Sequence, residues 1–261
     1  MTPEMFRVFS VPVSGYQFFY VLGLAIGAAA ILLLSRREKL DMVEVAAFIL
    51  LGIVCGWIGS RLLGPAVRFL TRPLSFQSFW DDFQTGGSFF GAVAASLFFA
   101  IPYSRIFFKN DRRRLWDITV IGIALGHAVG RLGCFAAGCC YGIPTSLPWG
   151  ASFTWLGRAP HPFAGVPLHP VQLYEAALVF ANFIFLLLRR PHRRFPGEVF
   201  CLYLINYGLI RFSLEFFRHS GPGEMAWPGG LSWYQVFSLF LVLAGWRLRL
   251  RLRKNQTIPS C

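Results

Sequence analysis

Seven long apolar stretches, separated by short polar or basic segments, run along the chain. They cover roughly residues 16–34, 43–63, 86–103, 116–136, 171–188, 198–217 and 231–246. A helix needs about 20 predominantly apolar residues to cross a bilayer, and about 17 at the short end. The pattern therefore predicts an all-α bundle of about seven membrane-spanning helices.

Composition supports a membrane protein and excludes several soluble classes. Of the 261 residues, 55% are hydrophobic and only 14% are charged, with a mean hydropathy of +0.53. A soluble domain carries about 25% charged residues. A disordered chain and an ordinary cytosolic enzyme are therefore excluded, and residues 1–261 are predicted to form a single integral membrane domain.

The placement of the basic residues predicts the orientation in the membrane. Most of the 25 Lys and Arg residues lie in four short clusters, which begin at Arg36, Arg105, Arg189 and Arg247. Basic clusters between apolar spans mark the cytoplasmic side and attract anionic lipids. With seven spans, the clusters predict an outside N-terminus and an inside C-terminus. They explain the net charge of +13 without a nucleic-acid partner.

Seven ionisable residues within or next to the apolar spans are candidates for a functional site. A charge at the bilayer centre costs about 2.5–3.5 kcal/mol on insertion scales, so such residues are paired or functional. His127 and Arg131 share one helix face because they are four residues apart. The others are Arg61, Glu175, Arg211, Glu215 and Arg218.

Positive charge exceeds negative charge in this set. Mutual pairing that fixes helix packing is one interpretation. The arginines outnumber the two carboxylates, Glu175 and Glu215, and a guanidinium binds phosphate in bidentate geometry. The surplus favours an anion site, and the abundant phosphate of a membrane belongs to phospholipids.

Three cysteines lie close together in sequence at 134, 139 and 140. A redox pair or a metal site is conceivable, but the spacing is not a common zinc spacing. We interpret Cys134, Cys139 and Cys140 as small packing residues, with a disulfide as an alternative on an oxidising side. No metal or cofactor is predicted.

Four motifs together resemble one family of membrane enzymes. They are GRLGCFAAGCCYG at 130–142, HPVQLYE at 169–175, GLIRFSLEFFR at 208–218 and GGSFFGAV at 86–93. Their order and spacing are similar to those of prolipoprotein diacylglyceryl transferases, from about Tyr16 to Trp246. The GCC sequence resembles one branch of that family.

The resemblance implies a reaction, a location and partners. Enzymes of this family transfer the diacylglyceryl group of phosphatidylglycerol to the lipobox cysteine of a preprolipoprotein in the bacterial inner membrane, and glycerol phosphate leaves. Phosphatidylglycerol, the preprolipoprotein signal peptide and membrane lipids are thus the expected partners. We expect a monomer that needs no cofactor.

The resemblance also implies site residues. Arg131 and Arg211 match the two essential arginines of the family, and Glu215 is expected to assist them in catalysis. Substrate binding is expected at these arginines and at a further set: Tyr16, Arg61, His169, Gln172, Tyr174, Glu175 and Arg218.

The chain departs from the family pattern in two places. Phe90 stands where relatives have a histidine that is a candidate base, and Cys134 and Cys139 replace an asparagine and a glutamate. We assign His127 as a substitute base because the cation of Arg131 keeps a nearby imidazole neutral. A polar packing residue is the alternative for His127.

Two other functions remain open. Phe90 motivates a family-related phospholipid-binding paralogue with altered or lost transfer. A transporter also has charges within its spans, but the two halves of this chain lack the symmetry of broken helices that many transporters have.

Overall fold

The computed structural model describes residues 4–8, 11–71, 75–85, 87–156, 159–219 and 230–254. The chain divides into two compact units. The larger unit comprises Met1–Ile31 and Trp116–Cys261, and the smaller unit comprises Leu32–Leu115.

The smaller unit is helical. Its elements are α2 (Met42–Thr71), α3 (Phe76–Thr85) and α4 (Phe89–Phe107). α2 and α4 approach closely at a pair of glycines: a Cβ atom on Gly91 would lie 2.3 Å from the carbonyl oxygen of Gly59. Ser88 caps α4 by accepting a hydrogen bond from the backbone N–H of Gly91 at 3.3 Å, which satisfies one free donor of the first turn.

The connection over residues 64–85, between the predicted spans 43–63 and 86–103, is largely helical. α2 continues to Thr71, and α3 follows after four residues. Aromatic residues recur in α3 at helical spacing, at Phe76, Phe79, Trp80 and Phe83, and Trp80 stacks on Phe83 with ring centroids 5.5 Å apart. Arg68 of α2 pairs with Asp82 of α3. A short amphipathic helix of this kind is typical of a membrane interface.

In the part of the chain that the structure describes, the larger unit holds five α-helices and two short hairpins. The hairpins are β1 (Glu4–Val8) with β2 (Val11–Ser14), and β3 (Trp155–Leu156) with β4 (Ala159–Pro160), both antiparallel. The helices are α1 (Gly15–Arg37, up to Ile31 in this unit), α5 (Arg112–Ala136, from Trp116), α6 (Val171–Arg189), α7 (Glu198–Leu214) and α8 (Trp233–Lys254). Turns of 3-10 helix follow α6 at Arg190–His192 and α7 at Glu215–Phe217.

Small residues allow close contact between helices of this unit. A Cβ atom on Gly126 of α5 would lie 2.6 Å from the carbonyl oxygen of Gly23 of α1. A Cβ atom on Gly208 of α7 would lie 2.7 Å from the carbonyl oxygen of Ser238 of α8. Close backbone approach at small residues is the usual packing device of membrane helices.

Six helices of the described residues are long and apolar enough to cross a membrane. They are Gly15–Arg37, Met42–Arg68, Phe89–Phe107, Arg112–Ala136, Val171–His192 and Glu198–Phe217. The predicted seventh span, 231–246, lies in α8, whose last turns carry arginines at every second position. The predicted all-α membrane fold is confirmed. The count of seven, the orientation and the single membrane domain remain predictions.

Candidate functional site

Arg131, His127 and Glu175 form a compact polar group between α5 and α6. Arg131 donates from Nη2 to Glu175 Oε1 at 2.8 Å and from Nε to His127 Nε2 at 3.1 Å. His127 Nε2 also lies 3.3 Å from Glu175 Oε1. Glu175 is 2% exposed, so its charge depends on these partners. The lone pair of His127 Nε2 is occupied by the Arg131 N–H.

Arg211, Glu215 and Arg218 form a second group where α7 ends. α7 stops at Leu214, and Glu215 opens a turn of 3-10 helix. Arg211 Nη2 lies 2.7 Å from Glu215 Oε2, and Arg218 Nη1 lies 3.7 Å from the same oxygen. Ser232 donates to Glu215 Oε1 at 3.0 Å. One carboxylate therefore orients two guanidinium groups.

An aromatic ring of α8 supports both arginines of this second group. The guanidinium carbons of Arg211 and Arg218 lie 5.1 and 4.8 Å from the centroid of the Tyr234 ring. A cation over the face of a tyrosine is attracted by the ring quadrupole. Arg211 is nevertheless incompletely satisfied: its Nη1 is buried and has no hydrogen-bond partner among the described residues.

Tyr207 connects the two groups. Its ring contacts His127 edge-to-face with centroids 5.5 Å apart, and it lies within electrostatic range of both Arg131 and Arg211. Glu175 also interacts electrostatically with both arginines. The charged residues of α5, α6 and α7 therefore share one buried neighbourhood.

An open pocket adjoins the second group. It has a volume of about 330 Å³. Glu215, Arg218, Ser232 and Gln235 line its polar side. The half-buried Arg218 therefore borders an opening large enough for a small anionic group, and the buried Arg211 lies behind it on the same carboxylate.

The HPVQLYE segment fastens the preceding loop to α6. Gln172 donates from Nε2 to the backbone carbonyl of Cys139 at 2.7 Å. The Tyr174 hydroxyl accepts from Trp149 Nε1 at 2.8 Å and lies 3.3 Å from His169 Nδ1. These contacts position the loop over residues 137–170. The hydrogen bonds seen among the described residues do not join these three side chains to the arginines.

The loop has a small aromatic core around His161. His161 lies against Tyr141 and Phe153, with ring centroids 4.4 and 5.6 Å away. Burial lowers the pKa of His161 and raises the pKa of Tyr141, because desolvation disfavours the charged form of each group.

Tyr16 is the second residue of α1 and is 41% exposed. It stacks on Tyr20 with centroids 6.1 Å apart and lies in electrostatic range of Cys134, Cys139 and Cys140. The structure therefore brings Tyr16 to the cysteines at the end of α5.

Comparison with known proteins gives the family. A family model described as prolipoprotein diacylglyceryl transferase matches residues 3–250. A phosphatidylglycerol–prolipoprotein diacylglyceryl transferase of Clostridium tetani is 32% identical over 249 residues, which cover 94% of this chain and 95% of the relative. The chain belongs to the prolipoprotein diacylglyceryl transferase family.

Further relatives agree. A phosphatidylglycerol–prolipoprotein diacylglyceryl transferase 2 of Clostridium perfringens is 31% identical, with 88% of each chain covered. A phosphatidylglycerol–prolipoprotein diacylglyceryl transferase of Campylobacter hominis is 28% identical and covers 97% of this chain and 91% of the relative. The family predicted from the four motifs is confirmed, and with it the predicted enzyme class.

Two residues singled out in the family comparison lie in the smaller unit. Arg61 of α2 donates from Nη1 to the carbonyl of Gln84 at 2.7 Å. Phe90 of α4 packs edge-to-face on Phe89, with centroids 5.9 Å apart, and is 43% exposed. Their roles in this transferase remain predictions.

Three residues next to the charged groups are not found by the sequence reasoning. Tyr207 precedes Arg211 by four residues, so its place on the same face of α7 is a signal that helical spacing offers. Ser232 and Tyr234 reach the site only because α8 packs on α7, and no local pattern predicts that contact.

Proposed function

We propose that this membrane protein transfers the diacylglyceryl group of phosphatidylglycerol to the thiol of a lipobox cysteine, with Arg131 and Arg211 holding the lipid phosphate. Its membership in the prolipoprotein diacylglyceryl transferase family supports the reaction. The observation that carries the residue assignment is the buried Nη1 of Arg211, a cationic donor without a partner among the described residues.

Charge balance supports a phosphodiester ligand. The guanidiniums of Arg131, Arg211 and Arg218 face the carboxylates of Glu175 and Glu215. This set carries one surplus positive charge, and a phosphodiester carries one negative charge. Buried charges are tolerated when they are paired, so the lipid phosphate would complete the group.

Orientation of the guanidiniums supports the same assignment. Glu215 and Tyr234 fix Arg211, while Glu175 and His127 fix Arg131. Donors fixed in advance, in a site that excludes water, stabilise charge as it develops in the transition state.

The chemical step is displacement at a glycerol carbon. The lipobox sulfur forms a bond to that carbon, and the carbon–oxygen bond to the phosphate breaks. The electron pair passes to the phosphate oxygen, so that glycerol phosphate leaves with one more negative charge. The guanidiniums of Arg131 and Arg211 stabilise that new negative charge, and Arg218 adds a third cation.

The thiol proton needs an acceptor, and we propose His127. Its Nε2 accepts a hydrogen bond from Arg131 at 3.1 Å. A phosphate that engages Arg131 would compete for this N–H and free the imidazole nitrogen. Neutral imidazole is the form that a general base requires.

The remaining predicted residues act in binding and positioning. We propose that Tyr16 and Arg61 contact the lipid or peptide, and that His169, Gln172 and Tyr174 hold the loop over residues 137–170. The protein would act as a monomer in the bacterial cytoplasmic (inner) membrane, with the preprolipoprotein signal peptide as second substrate.

An assay with purified protein tests this proposal. Full-length protein in detergent is mixed with phosphatidylglycerol and a lipobox peptide, and alkylation of the peptide thiol is measured by mass spectrometry. We expect the peptide to gain a diacylglyceryl group, and replacement of its cysteine by serine to abolish the product. Phospholipid binding without any product would instead indicate the paralogue that Phe90 suggests.

A further inference from the structure

The sulfurs of Cys134, Cys139 and Cys140 form the only group of three potential metal ligands found among the described residues. All three sulfurs lie within 4.8 Å of one another. The sequence spacing does not suggest this arrangement, and it depends on how α5 ends.

The end of α5 brings the first two cysteines together. The backbone N–H of Cys139 donates to the Cys134 carbonyl at 3.1 Å, and the N–H of Gly138 donates to the Phe135 carbonyl at 3.1 Å. These two bonds, with Gly138 at φ +67°, are the Schellman motif, in which the residue after the glycine returns to the last turn of the helix. Gly138 is required because a Cβ atom there would lie 2.4 Å from the Trp155 carbonyl oxygen.

Backbone conformation turns the third cysteine toward the other two. Cys140 has a φ of +59°, in the left-handed region that residues other than glycine seldom adopt. Such a conformation persists when the surroundings determine it, and it is concentrated at functional sites. The neighbouring contacts are firm: Gln172 binds the Cys139 carbonyl, and the Gly142 N–H donates to the His169 carbonyl at 3.0 Å.

We propose that Cys134, Cys139 and Cys140 form a three-sulfur binding site for a thiophilic metal ion of the class of zinc or copper(I). Soft thiolate ligands select these ions. A tetrahedral zinc ion with sulfur at about 2.3 Å holds its sulfurs roughly 3.8 Å apart. The upper limit of 4.8 Å observed for the three sulfurs exceeds this value by only about 1 Å.

The charge around the cluster suits ionised sulfurs. Arg131 Nη1 lies 4.0 Å from Cys134 Sγ, so a cation adjoins the cluster and can offset the negative charge of metal-bound sulfurs. A bound ion would also fix the end of α5 three residues beyond Arg131, so the site would support the guanidinium that we assign to the phosphate.

Cadmium is a suitable probe because its bonds to sulfur absorb in the ultraviolet. Reduced full-length protein in detergent is titrated with Cd²⁺ in the absence of lipid and peptide. We expect about one tightly bound ion per chain, with a sulfur-to-metal absorption band. Absence of the band in reduced protein overturns the proposal. Transfer activity is not used in this test, so its outcome is independent of the proposed reaction.

Single substitutions identify the ligands. Cys134→Ser, Cys139→Ser and Cys140→Ser are each expected to lose about a third of the band and to weaken Cd²⁺ binding by more than about tenfold, since loss of a second-shell group alone costs that much. Cys55→Ser, in the smaller unit, is the matched control and is expected to leave the band unchanged. A full band in Cys134→Ser overturns the proposal.

A labelling experiment on the wild-type protein tests the metal site even if the cysteine variants fail to fold. Bound Cd²⁺ or Zn²⁺ is expected to slow maleimide labelling of the three cysteines at least about tenfold while Cys55 labels at its usual rate, as measured by peptide mass spectrometry. Equal labelling with and without metal contradicts the site. A disulfide among the three cysteines in protein alkylated within intact cells also contradicts it.

Discussion

The larger unit contains two buried clusters of charge, and they differ in how completely their groups are paired. The first, the arginine site, consists of Arg131, Glu175, Arg211, Glu215 and Arg218. The second, the basic-end cluster, lies where α7 begins and consists of Asp117, Arg189, Arg193, Glu198 and Arg249.

The basic-end cluster leaves both carboxylates well satisfied. Glu198 accepts from Arg189 at 3.0 and 3.1 Å, from Arg249 at 2.9 Å, and from the Arg194 backbone N–H at 2.6 Å. Asp117 accepts from the backbone N–H groups of Gly197 and Phe200, each at 2.8 Å. It therefore caps the N-terminus of α7, where free N–H donors favour an anion.

The arginine site is different because it keeps unused donor capacity. Arg211 Nη1 has no partner in the part of the chain that the structure describes, whereas the surplus of one positive charge is the same in both clusters. Leaving a buried donor unsatisfied costs free energy. We infer that completely paired ions in this protein maintain the fold, whereas incompletely paired ions receive the substrate.

The largest expected effect is on activity at the arginine site. Arg131→Ala and Arg211→Ala should each reduce transfer by at least about a thousandfold, because loss of one donor to developing charge costs about 10²–10³ in kcat and lipid binding is lost as well. Each variant also removes the guanidinium that pairs with a buried carboxylate, so the thermal midpoint should fall as well, and transfer is compared per folded molecule. Transfer kinetics and thermal unfolding in detergent measure both.

Two sets of control variants accompany this first prediction. Lysine at either position should restore little activity because it lacks the bidentate fork. Arg114→Ala, at an exposed arginine that pairs with Asp111, should retain normal transfer. Full activity in either alanine variant at the arginine site would refute the phosphate assignment.

The second prediction concerns the basic-end cluster, where we expect a loss of stability and little change in activity. Glu198→Gln should destabilise the protein by about 3–5 kcal/mol, because it breaks a buried ion pair and leaves two arginines without their carboxylate. Chemical unfolding in detergent measures this change. Transfer per folded molecule should remain near normal. A loss of kcat without a loss of stability would contradict the purely structural role that we assign to the basic-end cluster.

The third prediction tests whether His127 acts as the general base or only as a packing residue. His127→Gln keeps a hydrogen-bond acceptor for Arg131 but removes the imidazole, so kcat should fall by about a hundredfold or more, the contribution typical of general base catalysis. The KM for phosphatidylglycerol should change much less. Normal turnover in this variant, as judged by steady-state kinetics, would exclude His127 as the base.

The smallest effect is expected at His161, in the loop over residues 137–170. The imidazole of His161 is buried and has no charged partner within its aromatic cluster. Burial lowers the pKa of His161, so the unfolded chain binds this proton more readily than the folded protein. Stability should therefore be complete above the ordinary histidine pKa of about 6.5 and should decrease as pH falls below it. Unfolding midpoints of wild type and His161→Phe at several pH values test this, and an equal slope for both proteins would contradict it.

Apolar runs predict the helices well because spanning length is a local property. The predicted spans 116–136 and 171–188 fall within Arg112–Ala136 and Val171–Arg189. α3 lies between two predicted spans and was not predicted, although the helical spacing of its aromatic residues could have indicated it. Spacing also places Arg131 one turn from His127 on α5.

Pairing between distant residues could not be predicted in this way. Glu175 reaches Arg131 across 44 positions of sequence, and Tyr234 reaches Arg211 only after α8 has packed on α7. Asp117 and Glu198 are carboxylates at the starts of apolar segments, so they could have been selected with the other ionisable residues. Their structural role depends on the tertiary contacts of Arg189 and Arg249.

A structure of the protein with phosphatidylglycerol bound would show directly whether the two arginines hold the lipid phosphate. We expect the phosphate within hydrogen-bond distance of Arg131 and of Arg211 Nη1, with the glycerol carbon open to an incoming thiol. A phosphate bound elsewhere, with each of the two guanidiniums still neutralised by its own glutamate alone, would contradict it.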